Sequence, residues 1–138
     1  MDNVFWIMVQ YTQMNILILC SYGKNRSRFL ASYLYEQGYQ QVDYDGVKHA
    51  DPSIVQKKID LADIIITVHP DVASALHEQF KIADQQVIEL NVDDRPEIIL
   101  PGQKDLDGKT WLSLQQGLVY PKLMEGLEKH LPLKKRGQ

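Results

Sequence analysis

The single cysteine of this 138-residue chain ends an aliphatic run and opens the stretch CSYGKNRS, residues 20–27. A loop running from a strand into a helix can turn its backbone amides toward one point, where the helix amino terminus adds the positive end of its dipole. Gly23 takes backbone conformations closed to other residues, so the amides of Ser21, Tyr22, Gly23, Lys24 and Asn25 can converge there. Arg26, six positions after Cys20, supplies a rigid two-pronged donor suited to a phosphate-like anion. Ser27 can donate its hydroxyl proton to the sulfur. All of these groups favour negative charge, so they are expected to lower the thiol pKa and hold Cys20 as a thiolate near neutrality. A thiolate at the floor of an oxyanion cradle is a nucleophile aimed at phosphorus. The plainer alternative makes Cys20 a small buried hydrophobe, with Lys24 and Arg28 as surface charges that raise the local potential. Tyr22 is open between a pocket wall and an exposed ring.

The elements that must hold this loop alternate along the chain. Residues 15–19, NILIL, form an apolar run too short for a helix, as expected of a strand covered on both faces. Phe29, Leu30, Tyr33 and Leu34 then recur at helical spacing over residues 26–37, with Gly38 as the stop. A second strand is expected over 41–47. The next helix, over 51–62, carries Asp51 as its cap and Pro52 in its first turn. DIIITV, 63–68, reads as a buried strand, and Pro70 opens a helix with Val72, Leu76 and Phe80 on one face. A fourth strand is placed at 86–90, a long loop at 93–108, and a mostly helical stretch at 111–131, broken or bent at Pro121. This order predicts an α/β fold with a parallel sheet, right-handed crossovers and helices on both faces. Ligands of such sheets collect at the carboxyl ends of the strands, where Cys20 lies.

Composition sets the frame. With 44% hydrophobic and 24% charged residues the chain reads as one globular domain, residues 14–138, and a net charge of −3 argues against a general nucleic-acid binder. One cysteine builds no disulfide framework, which points to the cytoplasm. Residues 1–13 read as an extension ahead of Met14 or, alternatively, as an extra edge strand; VFWIMV, 4–9, is too short for a membrane span and lacks the flanks of a signal peptide. His49, His69, His77 and His130 show no metal-ligand spacing and are read as structural or exposed. No metal or cofactor is expected, and no membrane partner.

Cys20, Arg26 and Ser27 match the Cys-x5-Arg-[Ser/Thr] signature of cysteine-dependent phosphatases, and its place after the first strand resembles the low-molecular-weight protein tyrosine phosphatase superfamily. The resemblance covers roughly residues 14–97. It implies a three-layer sandwich with a four-stranded parallel sheet in the order 2-1-3-4. It also implies hydrolysis of a phosphorylated protein or small phosphomonoester through a phosphocysteine, with Arg26 and the loop amides holding the phosphoryl oxygens. The general acid it implies lies after the fourth strand, in NVDDRPE, 91–97: Asp93 is the first choice and Asp94 the alternative. Three features depart from the family pattern. Gly23 and Asn25 stand at unusual positions in the loop, the second loop cysteine is absent, and the acid loop lacks the aromatic pair of a phosphotyrosine pocket. Phosphotyrosine specificity is therefore open, and Arg95 is a candidate contact for an anionic substrate. Rival functions on the same architecture are a phosphocarrier, which needs neither Arg26 nor an acid, and a non-catalytic anion-binding module. An arsenate reductase of the thioredoxin-linked type requires cysteines that this chain lacks.

Overall fold

The computed structural model describes residues 13–100, 102 and 106–135. Strands β1 (Asn15–Cys20), β2 (Gln41–Gly46), β3 (Ile64–Thr67) and β4 (Gln86–Glu89) form one parallel sheet in the order β2-β1-β3-β4. Helices α1 (Arg26–Glu36), α2 (Pro52–Leu61) and α3 (Pro70–Gln79) make the crossovers. A short α4 (Pro96–Ile99) follows β4; α5 (Gly108–Leu114), a π-helical turn (Gln115–Val119) and α6 (Tyr120–Glu128) then run on without a break. The molecule is thus an α/β three-layer sandwich. β1 leads to one side of the sheet and β3 to the other, so right-handed crossovers put α1 on the face opposite α2 and α3. Helix α6 packs beside α1.

Strand position follows from composition. The two central strands are the continuous apolar runs: Ile16 to Leu19 and Ile64 to Ile66 are at most 2% exposed, because helices cover both faces. At the edges, β2 and β4 mix polar with apolar residues, and Gln41, Asp43 and Glu89 are exposed. Helix α1 buries Leu30 and Leu34, and α3 buries Val72 and Leu76, residues that their spacing singled out; α2 buries Val55 and Ile59, and α6 buries Leu123 and Leu127. Phe80 joins the core one residue past α3. Asp51 caps α2 as expected, its carboxylate accepting from the Ser53 N–H at 3.0 Å, with Pro52 in the first turn.

Two boundaries differ from the sequence reading. The loop expected over 93–108 contains the single turn α4, opened by Pro96, and the following helix starts at Gly108, where the Asp107 side chain accepts from the Thr110 N–H at 2.7 Å. Pro121 does not break the last helix. Proline has no N–H to give to the carbonyl four residues back, at Gly117, and the chain widens into the π turn over just those residues before continuing as α6. The extension or extra strand expected over 1–13 lies outside the described residues, except Gln13.

Register aligns the carboxyl ends. Cys20 pairs with Gly46, Leu19 with Thr67, and Thr67 with Glu89. The segments that leave all four strands therefore emerge at one edge, and the Cys20 loop rises where the chain turns opposite ways from β1 and β3.

Candidate active site

At this edge a cavity of about 680 Å³ is lined by Cys20, Ser21, Tyr22, Lys24, Asn25 and Arg26 on one side, and by His69, Asp93, Asp94 and Arg95 on the other. Cys20 is 3% exposed and lies at its floor. The sulfur lies 3.0 Å from the Ser27 hydroxyl and accepts from the Gly23 N–H at 3.1 Å. Ser27 is fully buried. The Gly23 N–H donates to the sulfur, and the Ser27 hydroxyl is placed to donate to it when it is a thiolate. Of the loop residues that the sequence singled out, Cys20, Ser21, Tyr22, Lys24, Asn25 and Arg26 line this cavity, and Gly23 turns its amide to the sulfur. Tyr22 lines the cavity and is also 63% exposed, so it is both pocket wall and exposed ring; the Lys48 ammonium stands 5.4 Å from its ring centre.

A pair of glycines fixes the shape of the loop. Gly23 has φ = +74°, and a β-carbon there would lie 2.8 Å from Asp45 C and Gly46 N. Gly46 returns the contact, since a β-carbon on it would overlap the backbone of Tyr22 and Gly23. Backbone bonds from Val47 N to Cys20 O, 2.9 Å, and from Lys48 N to Ser21 O, 2.8 Å, fasten the two segments side by side. Sequence reasoning assigned Gly46 only to a strand. An alanine there must push the loop off its seat: Gly46→Ala is expected to lower stability by about 1–3 kcal/mol and to weaken oxyanion binding, measured by thermal unfolding with and without phosphate.

Arg26 points inward. Its side chain is 7% exposed, Nη1 donates to Val92 O at 2.6 Å, and Nε lies 3.4 Å from Asp94 Oδ2, a distance at which it gains charge attraction without a hydrogen bond. The guanidinium is thereby fixed between the Cys20 loop and the segment after β4, and it faces the same cavity as the sulfur.

Asn25 shows why the loop and that segment move together. Asparagine at a helix amino terminus ordinarily caps it, yet here it makes no cap bond. Its Oδ1 accepts from the Tyr120 hydroxyl at 2.5 Å, and its Nδ2 donates to Asp94 Oδ2 and to Gln115 Oε1, each at 2.8 Å. Gln115, fully buried in the π turn, also donates to Asp94 O at 3.2 Å. A carboxylate only accepts, so Asp94 fixes which way the Asn25 amide faces, and the Asn25 oxygen must then take a donor. Tyr120 supplies it: burial, with the Asp94 charge adding to it, pushes the phenol above its ordinary value, so the hydroxyl keeps its proton. The Tyr120 ring stacks on Phe29 at 4.1 Å, tying α6 to α1. Neither Gln115 nor Tyr120 was singled out from the sequence.

The two aspartates differ in their partners. Asp94 ties the Cys20 loop to the π turn. Asp93 Oδ1 accepts from the Arg95 N–H at 2.9 Å and from Arg95 Nε at 3.0 Å, while Oδ2 accepts from Arg95 Nη2 at 2.6 Å. Hydrogen bonds from the Arg95 side chain, helped by its backbone N–H and charge and by His69, hold the Asp93 carboxyl down at about 2. In this arrangement Asp93 is ionised at neutral pH. His69 has the structural role expected of it, capping α3, and it also lines the cavity. Its Nδ1 accepts from the Asp71 N–H at 3.1 Å, which leaves Nε2 to carry the proton of the neutral ring, 3.4 Å from Asp93 Oδ2. The sequence signal was present in His69-Pro70, a cap position at a strand's carboxyl end.

The chain matches no protein-family model and no curated protein. Among the described residues, no helix is long and apolar enough to cross a membrane.

Proposed function

We propose that this protein is a cytoplasmic cysteine-dependent phosphomonoesterase of the low-molecular-weight protein tyrosine phosphatase type. The observation that carries the reading is the Cys20 sulfur held between the Ser27 hydroxyl and the Gly23 amide, at the floor of a cavity that Arg26 also lines. In the first step the Cys20 thiolate attacks phosphorus; an S–P bond forms, the ester P–O bond breaks, and the leaving oxygen takes a proton from Asp93. In the second, water attacks the phosphocysteine and gives its proton to Asp93; the S–P bond breaks, releasing inorganic phosphate and restoring the thiolate. Arg26 and the loop amides carry the charge on the phosphoryl oxygens in both transition states. Asp94, engaged by Asn25 and close to Arg26, acts as a positioning residue. For Asp93 to arrive protonated, its pairing with Arg95 must open.

The tight Arg95–Asp93 pair is also what a non-catalytic anion-binding module would keep, and one experiment separates the two. With p-nitrophenyl phosphate, the phosphatase gives a burst of nitrophenolate, sustained phosphate release and a phosphocysteine trapped by rapid denaturation. A phosphocarrier labels the sulfur without sustained release, and a binding module does neither.

A further inference from the structure

Around the cavity mouth stand three cations that the phosphoryl group does not require: Lys24 and Lys48, both exposed, and Arg95, whose side chain is 52% exposed. Asp93 beneath it is only 16% exposed. We propose that Arg95 is a recognition residue for phosphomonoesters carrying a second anionic group, and that this group draws the guanidinium off Asp93 as the substrate binds. The inference rests on the phosphomonoesterase reading and names the class of substrate that the site takes.

The geometry makes the exchange inexpensive. A half-exposed guanidinium on a long side chain can swing toward the mouth, and a carboxylate or phosphate on the substrate replaces one bidentate acceptor with another, so the cation is never left unpaired. Asp93 is not released with it. The Arg95 backbone N–H still donates to Oδ1 at 2.9 Å, and His69 Nε2 remains near Oδ2 at 3.4 Å, itself held by the Asp71 amide. The carboxyl group keeps its place while losing the strongest influence that keeps it ionised. The other charges near this exchange are Asp71 and Glu97, both of which attract Arg95, and Lys24 and Lys48, which add to the pull on an incoming anion. A substrate with one anionic group leaves Arg95 on Asp93, and protonation of its leaving group is correspondingly poor.

The test compares phenyl phosphate with 3-carboxyphenyl phosphate, whose leaving groups are similar phenols, on the wild-type chain and on Arg95→Ala. The wild type is expected to favour the carboxylated ester by roughly tenfold or more in kcat/KM, the range of a charged hydrogen bond. In Arg95→Ala the preference falls to near unity, while turnover of phenyl phosphate rises because Asp93 has lost its cation. A purely structural Arg95 lowers both esters together. A wild type indifferent to the carboxylate, or an Arg95→Ala chain that keeps the preference, overturns the proposal. Calorimetric binding of the two esters to Cys20→Ser reads recognition without turnover: a preference there, absent in the double variant, upholds the role of Arg95 even where hydrolysis fails, and equal binding refutes it. Phosphotyrosine peptides flanked by aspartate or by asparagine show whether the second anion belongs to a protein or to a small molecule.

Discussion

Serine at position 20 is expected to abolish the proposed hydrolysis of p-nitrophenyl phosphate while leaving the fold in place. The exchange of sulfur for oxygen is nearly isosteric at a site only 3% exposed, and the new hydroxyl still meets the Ser27 hydroxyl and the Gly23 amide, which stand 3.0 and 3.1 Å from the sulfur. What changes is the nucleophile. A serine hydroxyl needs an adjacent general base to become reactive, whereas a thiol ionises within reach of neutral pH. Neither the Gly23 amide nor the Ser27 hydroxyl beside position 20 is a base that could take a serine's proton. Turnover should fall by about 10³-fold or more, as losses of a catalytic nucleophile do, with thermal unfolding close to that of the wild type. Phosphate or vanadate should still bind, since the amides and Arg26 are untouched. Residual activity within tenfold of the wild type would rule out sulfur as the nucleophile and leave Cys20 as a packing residue.

That much could be anticipated from sequence because the relevant features are local. The apolar runs of β1 and β3, the Asp51-Pro52 and Pro70 helix starts, and the Cys20-to-Ser27 spacing each lie within one short window. Features that depend on distant segments were hidden. Gly46 matters because the Tyr22 backbone presses on it from a loop outside its own strand. Gln115 and Tyr120 matter because a π turn, widened ahead of Pro121, carries them to Asn25 across 90 and 95 positions of sequence. The pairing of Asp93 with Arg95 is close in sequence, yet a turn with two carboxylates and one arginine does not say which carboxylate takes the arginine. It is settled here because Asn25 and Gln115 engage Asp94 from the other side. Which of the two aspartates takes the arginine therefore depends on residues that lie outside the segment 91–97.

Lysine at position 26 should separate charge from geometry. Arg26 does two things at once: it donates to Val92 O at 2.6 Å, with Nε 3.4 Å from Asp94, and it faces the cavity beside Cys20. A lysine keeps the positive charge and can satisfy one of those acceptors, so the segment after β4 stays attached. Its single ammonium cannot hold that segment and also present a planar fork to two phosphoryl oxygens. The expected outcome for Arg26→Lys is a fall in kcat of about 10²–10³-fold, the range measured for removing one preorganised donor from an anionic transition state. Stability should drop by only about 1 kcal/mol, the usual net worth of one hydrogen bond. Arg26→Ala, by contrast, leaves Val92 O without its side-chain donor and Asp94 without its nearby charge, so it should lose stability as well as turnover. Kinetics and thermal unfolding on the two variants together decide the role of the guanidinium. If Arg26→Lys turns over within about tenfold of the wild type, the arginine serves as a clamp on the segment after β4, and the transition-state charge must be carried by the loop amides alone.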